Sequence, residues 1–257
     1  MRKLIVLSLL FILTSSLLFG QTLSIADVNA ELTKYPTQKS DFCDACLLWK
    51  NPYYTSIADT EKHMPLIVFE VYTRSGAYAA DTAKFGRAGI FAAWHSVPGQ
   101  ANETNVYKAA NDSVKQYGDE IAKGHVQAWV LNRFNYWACI FSNIYTFNAA
   151  CEHQGQNVGT EIATENLTRA LLKRNEIVKV WGGCFVDPNA KPVNYTDGKV
   201  TDTEPTHYWK VIQYGDNLLC YWMPNLKTET QAMLPERTVT YQQLVTNLGF
   251  DPMKILK

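Results

Sequence analysis

Lys123-Gly124-His125-Val126-Gln127-Ala128 opens the stretch on which the fold turns, and Ser142-Asn143-Ile144, His153-Gln154-Gly155 and Glu161 follow it. From 123 to 141 apolar and polar residues alternate imperfectly, which predicts two strands with a turn near Asn132-Arg133. Beyond His153 the period changes. Ile162, Ala163, Leu167, Ala170 and Leu171 recur at helical spacing, with Glu161, Glu165, Arg169, Lys173 and Arg174 on the remaining face, so a helix is predicted over 160–175. Acids early and bases late also suit its dipole. The chain's centre therefore reads as a histidine at a strand edge followed by a polar helix start.

Working outward, 66–72 is a β-rich run closed by Ser75-Gly76, and 177–181, 208–214 and 218–223 read as further strands. Gly215-Asp216-Asn217 joins the last two as a tight turn. Residues 242–248, stopped by Gly249, predict a short closing helix. From 77 to 120 no period is sustained, and loops with short elements are expected. Hairpin strands with helices grouped between them indicate an α+β fold, a mostly antiparallel central sheet flanked by helices. The organisation expected is 1–20 as a signal peptide, 21–60 as a polar lead-in with short helical patches at best, and 61–257 as one catalytic-type domain.

The first twenty residues carry Arg2-Lys3, an apolar run and a small residue at Gly20, the pattern of a secretory signal. Nothing later approaches the ~20 apolar residues that a membrane span needs. A secreted or periplasmic (extracytoplasmic) protein is expected, with no membrane association once the signal is cleaved. Removing 1–20 takes Arg2 and Lys3 from a balance of 24 bases and 24 acids, a net of about −2, which argues against strong non-specific binding to phosphate backbones. Six cysteines, Cys43, Cys46, Cys139, Cys151, Cys184 and Cys220, behind a signal favour structural disulfides. Cys43-x-x-Cys46 is alternatively a redox pair or half of a zinc site. Asn102, Asn111, Asn166 and Asn194 stand in glycosylation sequons.

The central stretch also suggests a chemistry. Hydrolysing a phosphodiester needs a base for water, a cation against the charge growing on phosphoryl oxygens, and help for the leaving oxygen. Histidine suits the first task near neutrality. Gly124 lets backbone approach a ligand, and a helix start favours anionic phosphate. His207 reads as a packed or capping residue, and the tryptophans at strand positions as core.

Gly86-Arg87, Lys123-Gly124-His125, Ser142-Asn143-Ile144, Gln154-Gly155, Glu161, Trp181-Gly182-Gly183 and Pro205-Thr206-His207-Tyr208-Trp209-Lys210-Val211 follow one another in the order of the DNA/RNA non-specific endonuclease family. The chain resembles that family, of the ββα-metal nuclease fold, from about 66 to 250. The resemblance implies metal-dependent hydrolysis of DNA and RNA, with His125 as general base, Arg87 as clamp on the phosphoryl group and Glu161 as a carboxylate at the metal or its water. His153 falls where the family has a metal-ligating asparagine, with Glu152 as a rival ligand.

Two departures stand out. The family's Asp-Arg-Gly-His is Ala122-Lys123-Gly124-His125, so a carboxylate is missing at 122 unless Asp119 or Glu120 folds back to replace it. Imidazole at 153 suits manganese, zinc or nickel better than magnesium. The cofactor expected is thus a divalent ion, Mg or Mn, with Zn or Ni admitted by His153. A catalytically inactive domain binding nucleic acid or a protein, and a phosphodiesterase of narrower range, are the competing readings; oligomeric state is open.

Overall fold

A computed structural model describes residues 23–83, 86–100 and 103–257; the expected signal peptide and the Asn102 sequon lie outside them. The chain opens with helix α1 (Ile25–Thr33), capped by a reciprocal Ser24–Asp27 box. Strands β1 (Gln38–Lys39), β2 (Cys46–Lys50), β3 (Tyr54–Asp59) and β4 (Met64–Thr73) follow, then α2 (Arg74–Thr82) and α3 (Thr104–Val114). The central stretch forms a hairpin, β5 (Ile121–His125) and β6 (Ala149–His153), whose long connection carries α4 (Tyr136–Ser142). A helical segment from Gln154 then leads into α5 (Ile162–Leu172). The chain closes with β7 (Ile177–Phe185), the small ribbon β8 (Asn194–Thr196) and β9 (Thr201–Thr203), β10 (His207–Tyr214), β11 (Asn217–Pro224), β12 (Thr238–Val239), α6 (Tyr241–Leu248) and α7 (Pro252–Ile255).

Eight of these strands make one sheet in the order β1-β2-β3-β4-β7-β10-β11-β12, and every pairing in it is antiparallel. Side chains alternate across it as a period of two requires. Trp181, Trp209, Val211 and Cys220 point to one face and pack with Leu244, Leu248 and Leu256 of the C-terminal helices. Val68, Tyr72, Val180, Tyr208 and Ile212 point to the other, against Val126, Phe141, Phe147 and Leu172. The hairpin and α5 thus lie on one face of the sheet and the closing helices on the other. The α+β expectation holds, and the strands expected at 66–72, 177–181, 208–214 and 218–223 are all present.

Several local expectations need correction. The lead-in is not limited to helical patches: β2 pairs with β3 and β3 with β4, so it supplies three strands of the main sheet. Its Trp49 is fully buried, stacked on Phe141 at 5.6 Å. Residues 136–142 are helix rather than strand, because the Asn135 side chain accepts the Trp137 N–H and caps a turn whose Ala138 to Ser142 are all buried. A run whose last five residues are all buried has no polar face to mark its period. Helix α3, within a stretch expected to be loops, shows only a narrow stripe of Val106, Tyr107 and Ala110.

Cysteine chemistry is also simpler than expected. Cys43 and Cys46 are bridged, while Cys139, Cys151, Cys184 and Cys220 are buried free thiols. Burial pushes these thiols up, Cys139 to about 12 and Cys220 to about 11, which makes them poor nucleophiles and ligands. Asn111 bonds the backbone N–H and carbonyl of Ile121 through its side chain and is closed to a glycan. Among the described residues no helix is long and apolar enough to cross a membrane.

Candidate active site

His125 ends β5, 7 % exposed, with its ring 4.7 Å from that of Trp94. Its Nε2 lies 2.8 Å from Asn143 Oδ1. Asn143 is itself oriented, because its Nδ2 donates to the Phe91 carbonyl at 2.8 Å. The amide oxygen must therefore face the ring, Nε2 carries the hydrogen, and the Nδ1 lone pair is left to accept a proton. Burial, followed by the positive charge of Arg87, lowers the imidazole pKa to about 3 against the opposing Asn143 bond. The ring is neutral throughout the physiological range. An anion held at Arg87 would remove part of that depression.

Arg87 is exposed and sits over the Trp129 ring, 5.5 Å from its centroid. The indole Nε1–H donates to Phe91 O at 3.0 Å, the same carbonyl that holds Asn143. One backbone oxygen thus ties the arginine's platform to the histidine's partner. Lys123, two residues before His125 and on the same face of the hairpin, has its ammonium 5.4–5.6 Å from the rings of Trp94, Tyr107 and Tyr145. Burial lowers its pKa.

The opposite face of the hairpin is acidic. Ala122 pairs directly with Glu152, so the carboxylate missing at 122 enters from the adjacent strand. Gly124 makes room for it: a Cβ there would meet Glu152 Oε2 at 2.2 Å. The glycine therefore serves a buried side chain, which corrects the expectation that it exposes backbone to a ligand. Glu161 forms a buried ion pair with Lys210, which projects from β10. Both oxygens of Glu152 and the Oε2 of Glu161 are buried without a hydrogen-bond partner. Burial first, then the charge of Glu161, raises the Glu152 pKa. Glu165 is raised by burial to about 7, and Glu70, under the hydroxyl of Tyr72, to about 8.

His153 is placed elsewhere. It pairs with Ile121 at the far end of the hairpin, four residues from the His125–Ala149 pair, or about 13 Å along the strands. Its Nδ1 lies 2.6 Å from Asp119 and its Nε2 3.1 Å from Glu204. Burial lowers its pKa, but the two carboxylates outweigh this and raise it above its ordinary value. Asp119 does fold back, as one expectation had it, but onto His153 rather than the place of the missing aspartate. Nor do 153 and 161 share a straight helix: His153 ends a strand, and the segment between carries a kink at Gly159 (φ −92°, ψ −111°). Gly155 follows from packing, since a Cβ would strike Lys227 O at 2.0 Å. The structure thus brings Arg87 and His125 into one electrostatic neighbourhood, sets Glu161 beside Glu152 across the hairpin, and leaves His153 apart.

Residues 38–252 match the DNA/RNA non-specific endonuclease family. The chain belongs to that family. Membership makes it a nuclease, a phosphodiester hydrolase whose substrate is nucleic acid and whose family chemistry uses a divalent metal. No curated protein sequence matches it significantly. Its fold is similar to that in the crystal structure of the EndoG/EndoGI complex, at 19 % identity, covering 90 % of this chain and 94 % of that one with a TM-score of 0.60.

Two roles escaped the sequence. Asn143 was visible within Ser142-Asn143-Ile144, but its bond to His125 spans eighteen residues and gives no periodic signal. Lys210 did leave one: a lysine between Trp209 and Val211 in an apolar strand must be paired if it is buried.

Proposed function

We propose that this nuclease is secreted and hydrolyses DNA and RNA with His125 as general base, Arg87 on the phosphoryl oxygens and a divalent ion held by Glu152 and Glu161. The observation that carries the base assignment is the Phe91–Asn143–His125 relay, which fixes the neutral tautomer with a lone pair on Nδ1. Proton transfer from water to Nδ1 generates the nucleophile, and the guanidinium of Arg87 offsets the charge that then builds on phosphorus.

The orphaned oxygens support one choice of residues for the metal. Among the described residues no group of three or more His, Cys, Asp or Glu is arranged to hold an ion. His153, with both ring nitrogens engaged by carboxylates, has no free donor in this arrangement. Glu152 and Glu161 carry three unpartnered carboxylate oxygens, and the two carboxylates feel each other's charge. Two carboxylates are a donor set for magnesium or manganese rather than zinc or nickel. When bound, the ion would polarise a phosphoryl oxygen and offset charge on the leaving group.

The test is cleavage of supercoiled plasmid and of RNA by chelator-stripped protein, supplied in turn with Mg, Mn, Zn and Ni. Activity restored best by Mg or Mn is expected. Inertness with all four ions would refute the catalytic reading, and superiority of Zn or Ni would refute the all-oxygen site.

A further inference from the structure

Beside the catalytic residues, but unused by the chemistry above, lies a face built of aromatic rings and guanidinium groups. Four aromatic side chains among the described residues are exposed, and three of them gather here: Tyr78 at 72 %, Phe134 at 40 % and Tyr136 at 45 %. Tyr78 lies on α2, which packs against the turn of 129–132, and Phe134 and Tyr136 follow that turn directly. Trp129 begins the turn and carries two cations, with Arg87 5.5 Å and Arg133 5.7 Å from its ring.

These groups are held in place rather than loose. Tyr136 stacks on Phe91 at 5.3 Å and 25°, and Phe134 meets Tyr53 edge-on at 6.2 Å. Arg133 donates to the Ala83 carbonyl at 3.1 Å. A cleft of about 420 Å³, lined by Tyr72, Thr73, Gly76, Leu131 and Phe134, opens against the Phe134 ring. Through Trp129 and the Phe91 carbonyl, the face is continuous with Asn143 and His125.

Resting on the nuclease reading, we propose that this face is a subsite for unpaired nucleotides, and that the preferred substrate is single-stranded nucleic acid. Aromatic rings recognise bases only when the base faces are open, and a duplex keeps them stacked. The exposed guanidinium of Arg87, lying on the indole, keeps its N–H donors parallel to the ring and available to phosphate oxygens. Alternating ring and cation therefore match alternating base and phosphate. The recognition is tolerant of sequence, because every base has a π-face. A net charge near zero is consistent with it: two local cations and stacking replace a broad basic surface, which a duplex binder needs.

Equilibrium binding in EDTA tests this without cleavage, using fluorescence anisotropy of labelled dodecathymidylate and of a 12-base-pair duplex. Wild type is expected to bind the single strand more tightly. Phe134→Ala and Tyr136→Ala each lose about tenfold in single-strand affinity, with duplex affinity unchanged within about twofold. Phe134→Trp retains binding, which separates stacking from folding, and Tyr117→Ala, an exposed aromatic away from this face, changes nothing. Wild-type preference for duplex, absence of binding, or alanine variants that bind the single strand like wild type would each overturn the subsite. Plasmid cleavage by the same preparations keeps the two readings apart. Persistent His125-dependent cleavage with unaltered single-strand binding removes the subsite alone. Phe134-dependent binding without cleavage under any metal removes the nuclease reading and leaves the subsite.

Discussion

Replacing Asn143 by alanine separates the tautomer of His125 from its position. The ring is fixed by Trp94 at 4.7 Å and by burial, so it should stay in place. What disappears is the acceptor 2.8 Å from Nε2. A buried N–H left unpaired costs about 1–3 kcal/mol, or roughly 2–12 °C in melting temperature for a chain of this size. The ring can instead move its hydrogen to Nδ1, and then the face meant to accept a proton already holds one. Loss of a general base is worth ~10²–10⁴-fold, and a base in the wrong tautomer for most of its time should lose the lower part of that range. Single-turnover plasmid nicking gives the rate, and ¹⁵N chemical shifts of the imidazole report the tautomer directly. Asn143→Asp is the informative companion: it keeps an acceptor, preserves the tautomer and adds a negative charge that lifts the His125 pKa from about 3. An acid limb should then appear in its pH–rate profile. If Asn143→Ala nicks plasmid at the wild-type rate with unchanged ¹⁵N shifts, the relay is irrelevant to His125.

Other outcomes follow from the same interior. Gly124→Ala places a methyl 2.2 Å from Glu152 Oε2 and should destabilise the fold by about 1–3 kcal/mol, read from the urea midpoint; an unchanged midpoint would mean that Glu152 does not lie over the glycine. Glu70 has a folded pKa of about 8 against an ordinary 4.5, so its contribution is complete below 4.5 and is lost as pH rises through 8. His125, depressed to about 3, acts in the other direction, its contribution being lost as pH falls from 6.5. Between pH 6.5 and 8 the carboxylate acts without that opposition, and unfolding stability should drop by up to about 1.4 kcal/mol per pH unit on its account. Glu70→Gln should flatten that slope, and a variant with the wild-type slope would show that Glu70 ionises normally. The Cys43–Cys46 bridge closes so short a loop that Cys43→Ser with Cys46→Ser should cost no more than about 2 kcal/mol, and a larger loss in urea unfolding would assign it a role beyond loop closure.

Much of the architecture could be read from the chain because the decisive segments were either alternating or cleanly helical. The apolar runs of β4, β7, β10 and β11 form the middle of the sheet, where burial on both faces leaves the strongest pattern. Gly249 adopts the left-handed conformation (φ 75°) that its place after α6 suggests. What escaped was local structure determined by distant contacts. β2 and β3 are strands because β4 offers an edge to pair with, and α4 is a helix because a capping asparagine and the burial of Ala138 to Ser142 outweigh its aromatic composition.

The site divided along the same line. His125, Arg87 and Glu161 stood in motifs that could be quoted residue by residue. The place of His153 depended on the strand register, which sets Ile121 rather than His125 opposite it. Its two carboxylate partners come from positions 119 and 204, a pairing that no spacing rule connects. Glu152 stood in the sequence as a rival ligand, but its place directly across the ladder from Ala122 became visible only with the strand register.

The most direct test is the nicking rate of His125→Ala in the best metal, measured beside wild type, with thermal unfolding recorded on the same samples. A fall of ~10²–10⁴-fold with the fold intact is predicted for a residue that takes the proton from water. A variant that cuts as fast as wild type would contradict the assignment, because the imidazole whose Nδ1 is left to accept a proton would then play no part in the reaction.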